Sequence, residues 1–180
     1  MDGGYYAIKG FEYQIDKNIL EILTETDVNK SINIEQNQDI DSADFVMQVK
    51  YKEATKFIPS TIKRPVIQLI DEHIKNNSKQ YILYCYFKDF DGYAESISID
   101  SILGSSKLDY TQQQKTDFEK SFKLNFAPQF EIQLEQTIRE IQNLKYNEDE
   151  SIIFHSRASN LLRNLIVNNP PNKVSNRTCY

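Results

Sequence analysis

Residues 31–51 read SINIEQNQDIDSADFVMQVKY. Apolar residues alternate in three short runs: Ile32 and Ile34, then Ile40, then Phe45, Met47 and Val49. Between them Asn37, Gln38, Asp41, Ser42 and Asp44 supply turn chemistry, so the stretch predicts a three-stranded β-meander. Side chains alternate across a strand, which sends Phe45, Met47 and Val49 to one face and Val46, Gln48 and Lys50 to the other. The second set ends in an amide and an ammonium, and the neighbouring strand carries Asp39. An acid on one strand and Gln-x-Lys on the next converge on one spot.

Upstream, residues 5–26 predict a helix with Phe11, Ile15, Ile19, Ile22 and Leu23 as its buried stripe. Gly10 within it marks either the true start or a close contact. Glu12 and Gln14 lie one turn above the stripe, within reach of the meander, although a solvent-facing position is the plainer reading of both.

Downstream, a helix is expected near 61–76. Pro65 fits an early helical position or a kink, since proline has no amide to donate, and Ile67, Leu69, Ile70 and Ile74 fit the buried face. His73, between charged and apolar neighbours, reads as structural. Residues 80–87, QYILYCYF, form a continuous apolar run of the kind found in a central strand buried on both faces. A turn is expected over 89–92, and Ile97 and Ile99 suggest a small edge element. Thr111 is placed to cap a helix running to Lys120. Phe122, Leu124 and Phe126 alternate as a brief strand that Pro128 stops.

Two amphipathic helices are expected over 129–144 and 149–168. Their stripes are Phe130, Leu134, Ile138 and Ile141 in the first, and Ile152, Ile153, Leu161, Leu162, Leu165 and Ile166 in the second. His155 has no ligand partner at metal spacing and receives no role. The order of elements is that of an α/β sandwich.

At 180 residues the chain fits one domain. It divides into a core over about 5–100 and a helical C-terminal part over about 110–170. Apolar and charged contents of 39% and 26% are those of a soluble globular protein. No apolar run reaches membrane length and the N-terminus lacks a signal pattern, so a cytoplasmic, membrane-free setting is expected. Cys85 and Cys179 make neither a disulfide framework nor a zinc spacing.

The net charge of −5 argues against a general nucleic-acid coat protein, but it is unevenly spread. Residues 50–64 hold Lys50, Lys52, Lys56, Lys63 and Arg64 against Glu53, whereas 131–150 is acidic. A polyanion fits beside the meander; an ordinary solvated face explains the charge equally well.

The chemistry that suits the constellation is divalent-metal hydrolysis of a phosphodiester. A hard cation such as Mg²⁺ or Mn²⁺ takes oxygen ligands, which Asp39, the Gln48 side chain and the Val49 backbone carbonyl would supply. Lys50 would orient the attacking water and offset charge in the transition state. Glu35 would add a ligand or support the site from behind. On spacing alone a plain hairpin, with Lys50 paired to Asp39 or Asp41 at the surface, is the more economical reading. Gly-rich phosphate loops, a Gly-x-Ser-x-Gly turn and a Cys/His nucleophile pair are absent from the sequence.

Gly10-Phe11-Glu12-Tyr13-Gln14, then Glu35 through Asp39, then Gln48-Val49-Lys50-Tyr51 resemble the PD-(D/E)XK nuclease superfamily. More narrowly they resemble the double-stranded-DNA endonuclease domain of bacterial anti-phage defence systems, including effectors of cyclic-oligonucleotide (CBASS) systems. That family pairs a Tyr-Gln helix with a Glu-x-x-Glu-Asp strand and a Gln-x-Lys strand. Here Gln38 stands where the inner glutamate is usual, and Gln48 where the namesake acid is.

The resemblance covers residues 10–87 well and the rest in pattern only. It implies a restriction-endonuclease-like α/β core, with a mixed central sheet flanked by helices and a C-terminal helical part. It also implies Mg²⁺- or Mn²⁺-dependent cleavage of double-stranded DNA by Asp39, Gln48 and Lys50. Glu12, Gln14 and Glu35 would serve as supporting residues, and Lys52, Lys56, Lys63 and Arg64 as contacts to DNA. The implied setting is an N-terminal module of a longer protein or complex, as a homo-oligomer or with a sensor domain or ATPase subunit. The rival reading is a catalytically inactive nuclease-like module that binds nucleic acid or a partner protein. RNA as substrate remains open on these residues.

Overall fold

The computed structural model describes residues 3–34, 39–88, 90, 97–104 and 110–168. Five strands form one mixed sheet in sequence order: β1 (Ile32–Ile34), β2 (Ile40–Ser42), β3 (Phe45–Lys52), β4 (Gln80–Phe87) and β5 (Phe122–Phe126). The first three are antiparallel neighbours, as the meander requires. β3, β4 and β5 run parallel, so each of those joints needs a crossover that returns the chain to the starting end. Residues Lys63–Lys75 (α2) make the first crossover; Ile99–Leu103 (α3) and Gln112–Ser121 (α4) make the second.

The alternation in β3 divides the core. Val46 joins Leu83, Cys85 and Phe87 of β4 under α2, α3 and α4, in a cluster with Val66, Leu69, Ile70, Ile102 and Phe118. Met47, Val49 and Tyr51 face the opposite side. There they meet Tyr13 of α1 (Gly3–Thr24) and Phe130 of α5 (Phe130–Asn143). A last helix, α6 (Glu148–Asn168), packs its Leu162 against Ile15 and Ile19 of α1. The C-terminal helical part is therefore no annex: it contributes β5 to the sheet and α5 to the second layer.

Local signals account for several boundaries. Pro65 lies in the first turn of α2, where its missing amide costs no intrahelical bond, after a 3₁₀ turn over Pro59–Ile62. Thr111 and Gln114 form a reciprocal capping box at the start of α4. Tyr13, fully buried, donates its phenol to the Pro128 carbonyl at 2.8 Å, tying α1 to the end of β5. Burial pushes the phenol pKa of Tyr84 and the thiol pKa of Cys85 each up to about 12, so both stay neutral inside the sheet.

Several expectations are corrected. Ile97 and Ile99 do not form an edge element: Ser98 caps α3, and the Glu119 carboxylate accepts the Ile99 amide. Gly10 is mid-helix with nothing within 4 Å of a Cβ built on it, so it marks neither a start nor a close contact. Ile22 and Ile74 are exposed, while Leu20 and Val66 are buried in α1 and α2. On α6, Ile152, Ile153, Leu161 and Leu165 face solvent, and Ser151 and Ser159 are buried with Leu162. The buried residues of α5 are Gln133, Thr137 and Ile141, with Leu134 and Ile138 only half-buried. The expected turn over 89–92 and Cys179 fall outside the described residues, apart from Phe90. None of the described helices is long and apolar enough to cross a membrane.

Candidate functional site

The β2–β3 pairing sets Ile40 opposite Met47 and Asp41 opposite Val46. Continuing that register by one residue places Asp39 across from Gln48, on the face that Gln48 and Lys50 share. The side chains bear this out. Asp39 Oδ2 accepts the Val49 N–H at 2.6 Å and lies 3.2 Å from Lys50 Nζ. Asp39 stands just before β2, beside the part of β3 that continues past that short strand. Its carboxylate there accepts an amide that the ladder would otherwise pair.

In an extended strand the N–H and C=O of one residue lie along the same edge. The Val49 carbonyl therefore borders the same side of β3 as the Asp39 carboxylate. Gln48 is 3% exposed, and its Nε2 donates to Oε1 of Gln68 on α2 at 2.8 Å. The amide nitrogen is thus turned toward the helix. Side-chain exposures of 15% for Asp39 and 31% for Lys50 distinguish this pair from a freely solvated one. The Asp41 alternative is not realised: Asp41 pairs with Lys79 at 2.6 Å.

Lys50 opens into a cleft of about 490 Å³ at the C-terminal ends of β3 and β4, where Lys52, Arg64, Gln68 and Phe87 also line the walls. Open α/β sheets commonly receive ligands at this end of their parallel strands. Lys52 and Arg64, beside a Lys50 whose charge Asp39 partly offsets, give the cleft a cationic lining suited to phosphate. Lys56 lines a neighbouring cavity, and Lys63 begins α2 without lining either one.

The supporting residues are less concentrated. Glu12 is bound to Arg163 of α6, and Gln14 is half-buried on α1. Glu35 and Gln38 lie outside the described residues. Among the described residues no group of three His, Cys, Asp or Glu side chains is placed to hold a metal ion. The oxygen set at the site is one carboxylate, one buried amide and one strand carbonyl. That set fits a hard cation completed by water and substrate phosphate, the usual habit of Mg²⁺.

A second polar cluster was not read from the sequence. Asp16, 1% exposed on α1, accepts Gln133 Nε2 at 2.8 Å and Thr137 Oγ1 at 3.1 Å on Oδ2. His155 Nε2 meets its Oδ1 at 2.8 Å. The cluster joins α1, α5 and α6 across one buried carboxylate. His73 is likewise internal, edge-on to Tyr81 and Phe118.

Comparison with known proteins gives no match, whether to family models, curated proteins or solved structures.

Proposed function

We propose that the chain is a Mg²⁺- or Mn²⁺-dependent endonuclease that hydrolyses phosphodiester bonds of double-stranded DNA, with a restriction-endonuclease-like core and a role in bacterial anti-phage defence. The observation that carries this reading is the meeting of Asp39 with both the Val49 amide and Lys50, whose side chain lines a cleft with Lys52 and Arg64. The motif resemblance supplies the reaction class, and the α/β architecture with its mixed sheet is compatible with it.

In this reading Asp39, the Gln48 side-chain oxygen and the Val49 carbonyl would hold the cation. When bound, a divalent ion supplies Lewis acidity toward the phosphate and lowers the pKa of an attached water. The remaining roles belong to the chain. Lys50, anchored to Asp39 yet partly exposed, orients the attacking water and places positive charge where the transition state gains negative charge. Gln68 fixes the direction of the Gln48 amide. Lys52 and Arg64 neutralise flanking phosphates along the cleft.

The test is nicking of supercoiled plasmid with Mg²⁺ or Mn²⁺, with and without chelator. Metal-dependent strand breaks support the reading. Metal-independent binding without breaks favours an inactive nuclease-like binding module.

A further inference from the structure

Beyond Lys52 the chain leaves β3 and turns. Residues 53–56, with Lys88 immediately after β4, form a second cavity of about 520 Å³ against Tyr5 and Tyr6 of α1. The two cavities lie at the same end of the β3–β4 pair but on opposite faces of the sheet, the first under α2 and the second under α1. The first is lined by Lys52 and Phe87; the second begins at Glu53 and Lys88, and the Lys88 amide donates to the Lys52 carbonyl at 3.4 Å.

The lining of the second cavity differs from that of the first. Tyr5 and Tyr6 are 60% and 37% exposed, with their rings edge-to-face at 5.3 Å. Glu53, the one acid in the lining, is held by Lys9 at 3.0 Å, which offsets its charge and leaves Lys56 and Lys88 to set the sign. Exposed aromatic rings beside ammonium groups are the elements by which proteins hold single-stranded nucleic acid, the ring stacking on a base and the cations on the backbone. The base faces inside a duplex are covered by their neighbours, so internal paired bases are closed to the rings.

We propose that the Tyr5–Tyr6–Lys56–Lys88 cavity binds an unpaired nucleotide, so that the preferred DNA carries a frayed end or single-stranded segment beside the duplex. That this DNA is also cleaved rests on the nuclease reading; the stacking itself does not.

The experiment measures binding by fluorescence anisotropy in chelator, where no cleavage occurs. Three labelled DNAs are compared: a blunt duplex, the same duplex with a short thymidine tail, and the same duplex with an abasic tail of equal length. Tails are placed on either strand end. The full chain should bind the thymidine tail at least about fivefold more tightly than the abasic one, the lower range for one stacked base. Tyr5→Ala with Tyr6→Ala should abolish that preference and leave blunt-duplex affinity unchanged, while Tyr5→Phe with Tyr6→Phe should keep it. Equal affinity of the full chain for thymidine and abasic tails would overturn the proposal, as would a preference that survives the double alanine change. Base preference without metal-dependent nicking would remove the nuclease reading and leave this site standing; nicking without base preference would do the reverse.

Discussion

Asp39 Oδ2 stands 2.6 Å from the Val49 amide and 3.2 Å from the Lys50 ammonium, so one carboxylate oxygen serves both the backbone of β3 and its charged side chain. The two interactions respond differently to substitution. Asp39→Ala leaves the amide of buried Val49 without its acceptor and should cost about 1–3 kcal/mol. Asp39→Asn keeps an oxygen for the amide and loses the charge, so most of that stability should return while Mn²⁺ affinity does not. Urea unfolding and calorimetric Mn²⁺ titration of the two variants check this. Equal stability losses would show that the charge, not the amide bond, holds the turn.

The basic stretch gives a second prediction. Lys56→Ala, Lys63→Ala and Arg64→Ala together should weaken duplex binding evenly across sequences. The slope of log affinity against log salt should fall by about 0.9 for each phosphate that is no longer neutralised. Lys63, which lines neither cavity, should contribute least. Weaker affinity at constant slope would place the phosphate track elsewhere.

Most of the sheet was legible because each signal was local. The β-meander followed from alternation, β4 from an unbroken apolar run, α4 from Thr111 and its partner three residues on, and the Asp39–Lys50 approach from register. The C-terminal helices were less so. Buried Gln133 and Thr137 look like surface residues until Asp16 supplies a partner from the far end of the chain, and His155 reads as idle for the same reason. Conversely, Leu161 and Leu165 resemble core residues on a helix that turns them to solvent. Periodicity reports which residues share a face; it does not report which face finds a neighbour.

The Asp16 cluster should be structural. Asp16→Ala removes the shared acceptor of Gln133, Thr137 and His155 in a site closed to water, and should destabilise by about 2–4 kcal/mol. His155→Ala, which removes one partner at the half-buried rim, should cost less. The reverse order in chemical denaturation would contradict the arrangement.

His73 gives the pH dependence. Burial lowers its pKa below the ordinary 6.5, with Asp117 opposing the shift. Above pH 6.5 the ring is neutral in both folded and unfolded chains and contributes no slope. As pH falls below 6.5 the unfolded chain takes a proton that the core resists, so stability is lost until pH passes below the folded pKa. Thermal unfolding of wild type and His73→Phe should therefore run parallel above pH 6.5 and diverge below it, the wild type losing more. Parallel curves throughout would show that His73 titrates as it does when unfolded.

In the proposed reaction Lys50 acts in catalysis and is more than the partner of Asp39. Plasmid nicking by wild type and Lys50→Ala, at matched Mg²⁺ or Mn²⁺ and with duplex affinity and melting temperature measured on the same samples, tests it most directly. As a partly exposed ion-pair partner alone, Lys50 would contribute no more than about 1 kcal/mol to stability, and its loss would leave turnover intact. The catalytic reading predicts that cleavage disappears while the fold and most DNA binding remain. It also predicts that Lys50→Arg, which keeps the charge but changes shape and hydration, is strongly impaired. Wild-type nicking by Lys50→Ala would contradict it.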